Sequence, residues 1–191
     1  MGWTRSDRIA GFAVLLAGFS LLLQFLDRDV PLNVQAYIDQ TQASGRIVDA
    51  TEQLINARQL AMISVDWNVY EPEWAKLMTM EQMILDSKKA EPVIIAKGNF
   101  VSALQTGQRF YKNPESIAAL TALNNQADIA SKCFTDIASA RRKVSPHQEE
   151  KFRSAIVNSC AGANIEGSLD NLKMAEATAM IAMDKERDEG D

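Results

Sequence analysis

The two cysteines are the residues whose spacing most clearly indicates chemistry, and that chemistry is a disulfide. Cys133 and Cys160 are the only cysteines in 191 residues, and they lie at nearly equal distances along the chain from Pro146. A turn between two helices is predicted at this proline. Residues equidistant from the turn of an antiparallel helical hairpin lie at the same height, so we expect the two sulfurs to be level, about 20 Å from the bend.

The redox state of this pair depends on the compartment. In an oxidising compartment the two cysteines would form a disulfide, and closing that loop would stabilise the fold by about 3.5 kcal/mol on the chain-entropy model. The alternative is a pair of buried free thiols, because unpaired cysteine is commonly buried. The level placement of Cys133 and Cys160 favours the disulfide.

No other group of residues has the pattern of a catalytic or metal site. The only histidine, His147, falls in the first turn of a predicted helix, where a surface side chain is expected. Two cysteines and one histidine cannot complete a four-ligand zinc site without carboxylates, and the cysteine spacing is not that of a zinc motif. Glycine-rich phosphate loops are absent from the sequence. The eight methionines are more typical of an adaptable apolar core than of a soft-metal site. We therefore predict that the chain is not an enzyme and uses no metal or cofactor.

Three aromatic residues form the candidate patch for a ligand or partner. Trp67, Tyr70 and Trp74 lie around Pro72, in a predicted connection between helices. Tryptophan and tyrosine are enriched at binding surfaces, which favours recognition at this place. The alternative is that the aromatic rings pack on one another and cap the bundle.

A stretch of eighteen residues without charge, Ile9 to Leu26, predicts a transmembrane anchor. As a helix it would be about 27 Å long, close to the hydrocarbon thickness of a bilayer. Arg5 and Arg8 precede it and Asp27, Arg28 and Asp29 follow it, so the amino terminus should lie in the cytoplasm and the rest of the chain outside. A cleaved signal peptide and a buried helix are the alternatives, but no small-residue cleavage site ends the stretch.

Beyond the anchor, apolar residues recur at helical spacing. Helices are predicted from Val34 to about Val65, from Pro72, and from Pro114, where Asn113 is the cap. Pro92 is expected to end or kink the second of these helices near Glu91.

The last predicted helix begins after Pro146 and restarts at Ser168, after Gly167. No strand alternation or internal repeat is present in the sequence. The predicted fold class is all-α, with an N-terminal transmembrane helix followed by an up-and-down bundle of four or five helices. The predicted domains are a cytoplasmic N-terminus at 1–8, the anchor at 9–26, an extracytoplasmic bundle at 27–183 and a charged, frayed tail at 184–191.

Composition narrows the function. The chain is 47% apolar, which is typical of a folded protein, and its net charge of −5 argues against nucleic acid as a partner. We expect a single-pass protein of the cytoplasmic membrane whose bundle, in the periplasm or outside the cell, binds another envelope protein or a second copy of itself. The alternative is a bundle that binds or senses a small molecule in a pocket near Trp67 and Trp74.

Overall fold

The computed structural model describes the chain in four ranges, 32–64, 79–143, 148–160 and 164–189. The predicted anchor at 9–26, the predicted connection from Trp67 to Pro72 and the turn predicted at Pro146 lie outside them. By its contacts the chain divides into two units, Met1–Ile38 and Asp39–Asp191. Every contact and surface discussed below lies within the second unit.

The described residues form five α-helices and one short 3-10 helix, with no strand among them, which confirms the predicted all-α class. None of the helices in these ranges is long and apolar enough to cross a membrane. The elements are α1 (Leu32–Ser64), α2 (Met80–Gly107), the 3-10 helix (Gln108–Phe110), α3 (Pro114–Lys143), α4 (Glu149–Cys160) and α5 (Ile165–Glu189).

Neighbouring helices are antiparallel. Gln40, near the start of α1, donates from Nε2 to the carbonyl of Phe110, just after the end of α2, over 3.0 Å. Lys97, just past the middle of α2, bonds to Ser131, just past the middle of α3, over 3.0 Å. Since the short connection 108–113 joins α2 to α3, a contact between their middles requires the chain to reverse direction, and α1, α2 and α3 follow an up-down-up order.

The last two helices together form the fourth arm of the bundle. Cys160, at the end of α4, lies beside Cys133, whereas Ser116 at the start of α3 donates to the carbonyl of Ala182 in α5 over 3.0 Å. Helices α4 and α5 therefore follow one another down the length of α3. The described helices form an up-and-down bundle of four arms, the last of which is formed by α4 and α5.

The core is a continuous cluster at the centre of the four arms. Along α1, α2 and α3 its side chains recur mainly every three or four residues, as expected for one buried stripe per helix, and α4 contributes Cys160. The largest fully buried apolar side chains are Ile47, Leu54, Phe100, Leu120, Leu123, Phe134, Ile137, Leu172 and Met183.

The start of α3 is as predicted. Asn113 caps the helix through its Oδ1, which accepts from the backbone N–H of Glu115 over 2.9 Å, and its carbonyl accepts from the N–H of Ile117 over 3.0 Å. Pro114 occupies the first helical position, where the missing N–H costs no hydrogen bond.

Pro92 was expected either to end or to kink its helix near Glu91. The first expectation is wrong, because the helix does not end there. Helix α2 continues through Pro92 to Gly107. Pro92 is exposed, while Ala90, Val93 and Ala96 on the neighbouring positions are buried. Burial of that stripe on both sides of the proline offsets the loss of one backbone hydrogen bond.

The final helix starts earlier and ends later than predicted. Asn164 caps α5, because its Oδ1 accepts from the N–H of Gly167 over 2.9 Å and its carbonyl accepts from the N–H of Ser168 over 3.0 Å. The helix then runs beyond the predicted boundary at Met183 to Glu189. Glu186, within the predicted tail 184–191, bonds to the backbone before α3, which gives this last turn a tertiary contact.

Candidate functional site

The most unusual side chain in the bundle is a fully buried arginine, Arg58 of α1. Its Nε donates to the carbonyl of Ala130 in α3 over 2.8 Å, and its Nη2 donates to Oγ of Ser168 in α5 over 2.8 Å. The planar guanidinium fork directs its two donors to different helices, which an ammonium group could not do with the same geometry. Arg58 thus joins three arms of the bundle at one level.

The surroundings of Arg58 are apolar on one side and acidic on the other. Its guanidinium carbon lies 5.5 Å from the centre of the Phe134 ring, and Nη1 lies 3.9 Å from Sδ of Met62. Burial lowers the pKa of Arg58, and the charge of Asp170 opposes this shift. The guanidinium stays charged at neutral pH, because its ordinary pKa is far above that range.

The cysteine pair lies on the same turn of α3. Cys133 is between Ala130 and Phe134, both of which contact Arg58. Its Sγ is 2.04 Å from Sγ of Cys160, the Cα atoms are 4.8 Å apart, and both residues are buried. The predicted level placement of the two cysteines is therefore confirmed. One turn of α3 carries the contacts to α1 and α4, and Arg58 carries the contact to α5. We call this turn with Arg58, Ser168 and Cys160 the central clamp.

A second polar junction lies at the opposite end of α3. Tyr111, a buried residue, donates from its hydroxyl to the carbonyl of Gln40 over 2.8 Å. Glu186 of α5 accepts at Oε1 from the backbone N–H groups of Lys112 and Asn113, over 2.6 and 3.0 Å. The segment between α2 and α3 is thereby bonded to both α1 and α5.

This junction changes the acidity of two of its residues. Burial raises the pKa of the Tyr111 hydroxyl. Burial alone would also raise the pKa of Glu186, but the hydrogen bonds from Lys112, Ser116 and Asn113 and the charge of Lys112 outweigh it, so its pKa is lowered. At neutral pH the Tyr111 hydroxyl is therefore protonated and can donate, and the Glu186 carboxyl group is ionised and can accept.

An open groove runs between α1 and α2. It has a volume of about 420 Å³, and its lining is polar apart from a few alanines, with Arg46 and Asp49 on one wall and Asn99 and Ser102 on the other. At one end the two helices come close, since a Cβ on Gly107 would lie 2.6 Å from Cδ1 of Ile47. The groove can accommodate a small polar molecule but encloses it on few sides.

The predicted aromatic patch cannot be placed. Trp67, Tyr70 and Trp74 lie outside the residues that the structure describes, as does His147. Within the described ranges, no group of three histidine, cysteine or acidic side chains is placed to hold a metal ion. Of the predicted site residues, the structure therefore brings together Cys133 and Cys160.

Sequence reasoning missed Arg58, although a signal was present. Leu54 and Ala61 are buried positions of the α1 stripe, and Arg58 occupies the position between them at the same helical spacing. A charged residue on the buried stripe of a helix requires partners in the core. Reading the stripe through residue 58 would have predicted a buried arginine with hydrogen-bond acceptors on facing helices.

A scan against protein-family models and searches of curated proteins and of solved structures found no match to this chain. By its fold, the described part of the chain is an up-and-down helical bundle. A buried arginine and an adjacent cysteine pair connect its arms.

Proposed function

We propose that this protein is an interaction module of the cell envelope, in which residues 9–26 hold the chain in the cytoplasmic membrane and the bundle outside it binds another protein or a second copy of itself. The observation that carries the proposal is the central clamp. Arg58 uses its donors on Ala130 and Ser168 within the bundle, and the cysteine pair is buried beside it. Polar groups committed in this way hold a rigid shape and are not available to a substrate.

The sequence supplies the location. Residues 9–26 are uncharged and long enough to cross a bilayer, and the arginines that precede them favour a cytoplasmic amino terminus. A bundle outside the membrane would lie in an oxidising compartment, where Cys133 and Cys160 at their observed separation would be bonded. Rigid arms and exposed helix faces suit binding through the surface.

Crosslinking of the full chain in intact membranes, followed by pull-down, tests this proposal. We expect a stoichiometric adduct with one envelope protein or a dimer of the chain. The matched control is a variant with five leucines in 9–26 replaced by lysine, which should remove the chain from the membrane fraction and abolish the adduct. A chain that stays monomeric and recovers no partner from the membrane would contradict the proposal.

The groove between α1 and α2 favours a second candidate, a bundle that binds a small polar molecule. Its walls offer a cation at Arg46 and amide and hydroxyl groups at Asn99 and Ser102. A thermal-shift screen of the full chain in detergent would detect stabilisation by one class of ligand. Arg46→Ala should abolish that shift, whereas Arg153→Ala on α4, away from the groove, should leave it unchanged.

A further inference from the structure

The groove between α1 and α2 carries two opposite charges that are not neutralised within the described part of the chain. Arg46 and Asp49 line the groove from α1, and both side chains are exposed. They are three residues apart on one face of the helix, a spacing at which opposite charges can pair. Nevertheless, no hydrogen bond or ion pair joins either side chain to the other or to any other described residue. Elsewhere on the bundle Lys97, Lys132 and Lys185 are each paired with a carboxylate.

Two contacts between α1 and α2 determine which groove residues lie at the same level. Gln40 donates to the carbonyl of Phe110, and Gly107 lies against the side chain of Ile47. Because the two helices are antiparallel, a step forward along α1 corresponds to a step back along α2. The groove therefore has three levels, which are occupied by Arg46 and Thr106, by Asp49 and Ser102, and by Gln53 and Asn99.

The neutral side chains of the groove add acceptors around Asp49 and amides beyond it. The Thr106 hydroxyl donates to the carbonyl of Ser102 over 2.9 Å, so towards a ligand it can only accept. No described residue bonds to the hydroxyl of Ser102 or to the side-chain amides of Gln53 and Asn99. The middle of the groove therefore suits a group with several donors, such as an ammonium, and the Arg46 guanidinium suits a carboxylate.

A second carboxylate lies near the Arg46 end of the groove. Asp39, two turns before Arg46 on α1, lines a smaller neighbouring pocket together with it. About 10 Å along the helix axis separates the two residues, and no ion pair among the described residues joins them. The Arg46 guanidinium is therefore available to a ligand in the groove.

We propose that this groove binds a free α-amino acid with an uncharged polar side chain. The carboxylate of the amino acid accepts from Arg46, and its ammonium donates to Asp49 and Ser102. The side chain of the ligand lies towards Gln53 and Asn99, whose amides can both donate and accept. The inference rests on the second candidate function, the binding of a small polar molecule in this groove, and it names the class of that molecule.

The arrangement of the two charges disfavours other small polar ligands. Asp49 repels an anion that has no ammonium, and Arg46 repels a cation that has no carboxylate. A neutral sugar could form hydrogen bonds in the groove but would leave both charges without a partner. Arg46 and Asp49 are about 4.5 Å apart along the helix axis, and an α-amino acid carries its two charged groups on one carbon. Both groups of the ligand can therefore meet their partners at the same time.

Titration calorimetry of the full chain in detergent, with L-glutamine as the probe, tests the ligand class. The groove is open, so we expect a dissociation constant of about 0.1 to 1 mM. Glutaric acid monoamide lacks the ammonium of glutamine and γ-aminobutyramide lacks its carboxylate, and each should bind about tenfold more weakly. L-Norvaline, which lacks the amide, should bind about threefold more weakly. Analogues that bind as tightly as L-glutamine would overturn the proposal.

Two variants assign each charge of the ligand to one residue. Arg46→Ala should bind L-glutamine about tenfold more weakly and should no longer distinguish it from γ-aminobutyramide. Asp49→Asn should do the same for L-glutamine and glutaric acid monoamide. The matched controls are Lys151→Ala and Glu150→Gln, exposed residues of α4 outside the groove, which should leave every constant unchanged. A variant that binds weakly but still distinguishes the analogues would overturn its assignment, since misfolding alone would not remove one contact selectively.

A blocked groove separates failure of the ligand class from failure of the binding function. Ser102→Trp places a large side chain at an exposed position of the groove and should abolish binding of L-glutamine. Trehalose and phosphoethanolamine are the comparison probes, one a neutral sugar and the other a zwitterion found in lipid headgroups. If either binds more tightly than L-glutamine and Ser102→Trp abolishes that binding, the amino-acid class is overturned and the groove remains a binding site. If none of the three probes binds, the proposal and the second candidate function are both contradicted.

Discussion

Arg58 is a charged residue in a setting that penalises charge. It is fully buried, and its pKa is lowered by that burial. Such a residue adds to stability through its geometry, because Ala130 and Ser168 accept from it in directions that only the fork of a guanidinium matches. A buried polar network of this kind favours a single arrangement of the arms over alternatives with shifted register.

Arg58→Lys is predicted to destabilise the bundle although it keeps the charge. The lysine cannot reach Ala130 and Ser168 together, so at least one buried acceptor loses its partner, at a cost of about 2 to 3 kcal/mol. Denaturant unfolding of the full chain in detergent measures the change. Arg46→Lys at the exposed groove is the control and should shift the free energy of unfolding by less than about 0.5 kcal/mol. Equal effects at the two positions would contradict the role of the fork.

Two glutamates of α5 illustrate opposite effects of environment. Burial raises the pKa of Glu176, the charge of Glu52 raises it further, and its Oε1 finds no hydrogen-bond partner among the described residues. Glu186 has a lowered pKa, because Lys112 and Asn113 donate to its carboxylate. At neutral pH, ionised Glu176 therefore destabilises the fold and ionised Glu186 stabilises it.

Replacing each glutamate by glutamine should change the melting temperature in opposite directions at neutral pH. Glu176→Gln should raise it by about 1 to 2 °C, a small value because solvent screens this half-exposed group. Glu186→Gln should lower it by about 2 to 4 °C through loss of a charged cap. The stability that protonated Glu176 gives the fold is present below its ordinary pKa of 4.5 and is lost as the pH rises through its raised pKa. The difference in melting temperature between Glu176→Gln and the wild type should therefore vanish as the pH falls to 4.5.

The contribution of Glu186 has the opposite dependence. The stability that ionised Glu186 gives the fold is present above pH 4.5 and is lost only as the pH falls through its lowered pKa. The shift in melting temperature caused by Glu186→Gln should therefore persist to a lower pH than the shift caused by Glu176→Gln. Thermal unfolding across this range, with the wild type at each pH as reference, distinguishes the two. Two differences of the same sign at neutral pH would contradict the assignment.

At the scale of the element, α4 is the helix whose attachment depends most on covalent chemistry. It has twelve residues, and a helix this short is marginal on its own. Its last residue, Cys160, lies against Cys133 on α3. A bond between the two sulfurs would hold the end of α4 next to the turn that carries the central clamp.

Removing this crosslink should lower stability by about 3.5 kcal/mol, the chain-entropy value for a separation of 27 residues. The variant with Cys133→Ala and Cys160→Ala should melt at a lower temperature than the oxidised wild type. Dithiothreitol should lower the melting temperature of the wild type and leave that of the variant unchanged. A wild type that does not respond to reductant, and that alkylates at both thiols beforehand, would contradict the disulfide.

Elements were predictable where one local rule governed them. Asn113 and Pro114 fix the start of α3 through their own backbone chemistry, and the level of Cys133 and Cys160 followed from the length of two helices and one turn. Pro92 was harder, because its effect depends on whether tertiary burial of the flanking stripe offsets the lost hydrogen bond. Predicting the hydrogen-bond partners of Arg58 required knowing which helices face it, and the periodicity of one helix does not give that.

At the scale of the whole molecule, the proposed location of the bundle bears on the redox state of its cysteines. The larger number of arginines before residues 9–26 than directly after them predicts on which side of the membrane the bundle lies. That side in turn decides whether Cys133 and Cys160 are oxidised. The described helices are held together by contacts within the bundle, so the same fold should form on either side.

Inverting the flanking charges should therefore change the redox state of the cysteines without changing the fold. In the variant Arg5→Glu, Arg8→Glu, Asp27→Lys and Asp29→Lys, the positive charges follow the uncharged stretch, and the bundle should stay in the cytoplasm. Both cysteines should then react with a thiol reagent after unfolding, whereas those of the wild type should not.

The control for this inversion replaces Arg5 and Arg8 by lysine, which keeps the charges and should keep both the topology and the disulfide. A reporter fused after Asp191 gives the side of the membrane independently of the thiols. If the reporter moves to the cytoplasm while the cysteines stay bonded, the disulfide does not depend on location. If the wild-type reporter is itself cytoplasmic, residues 9–26 do not export the bundle, and the case for an oxidising compartment fails.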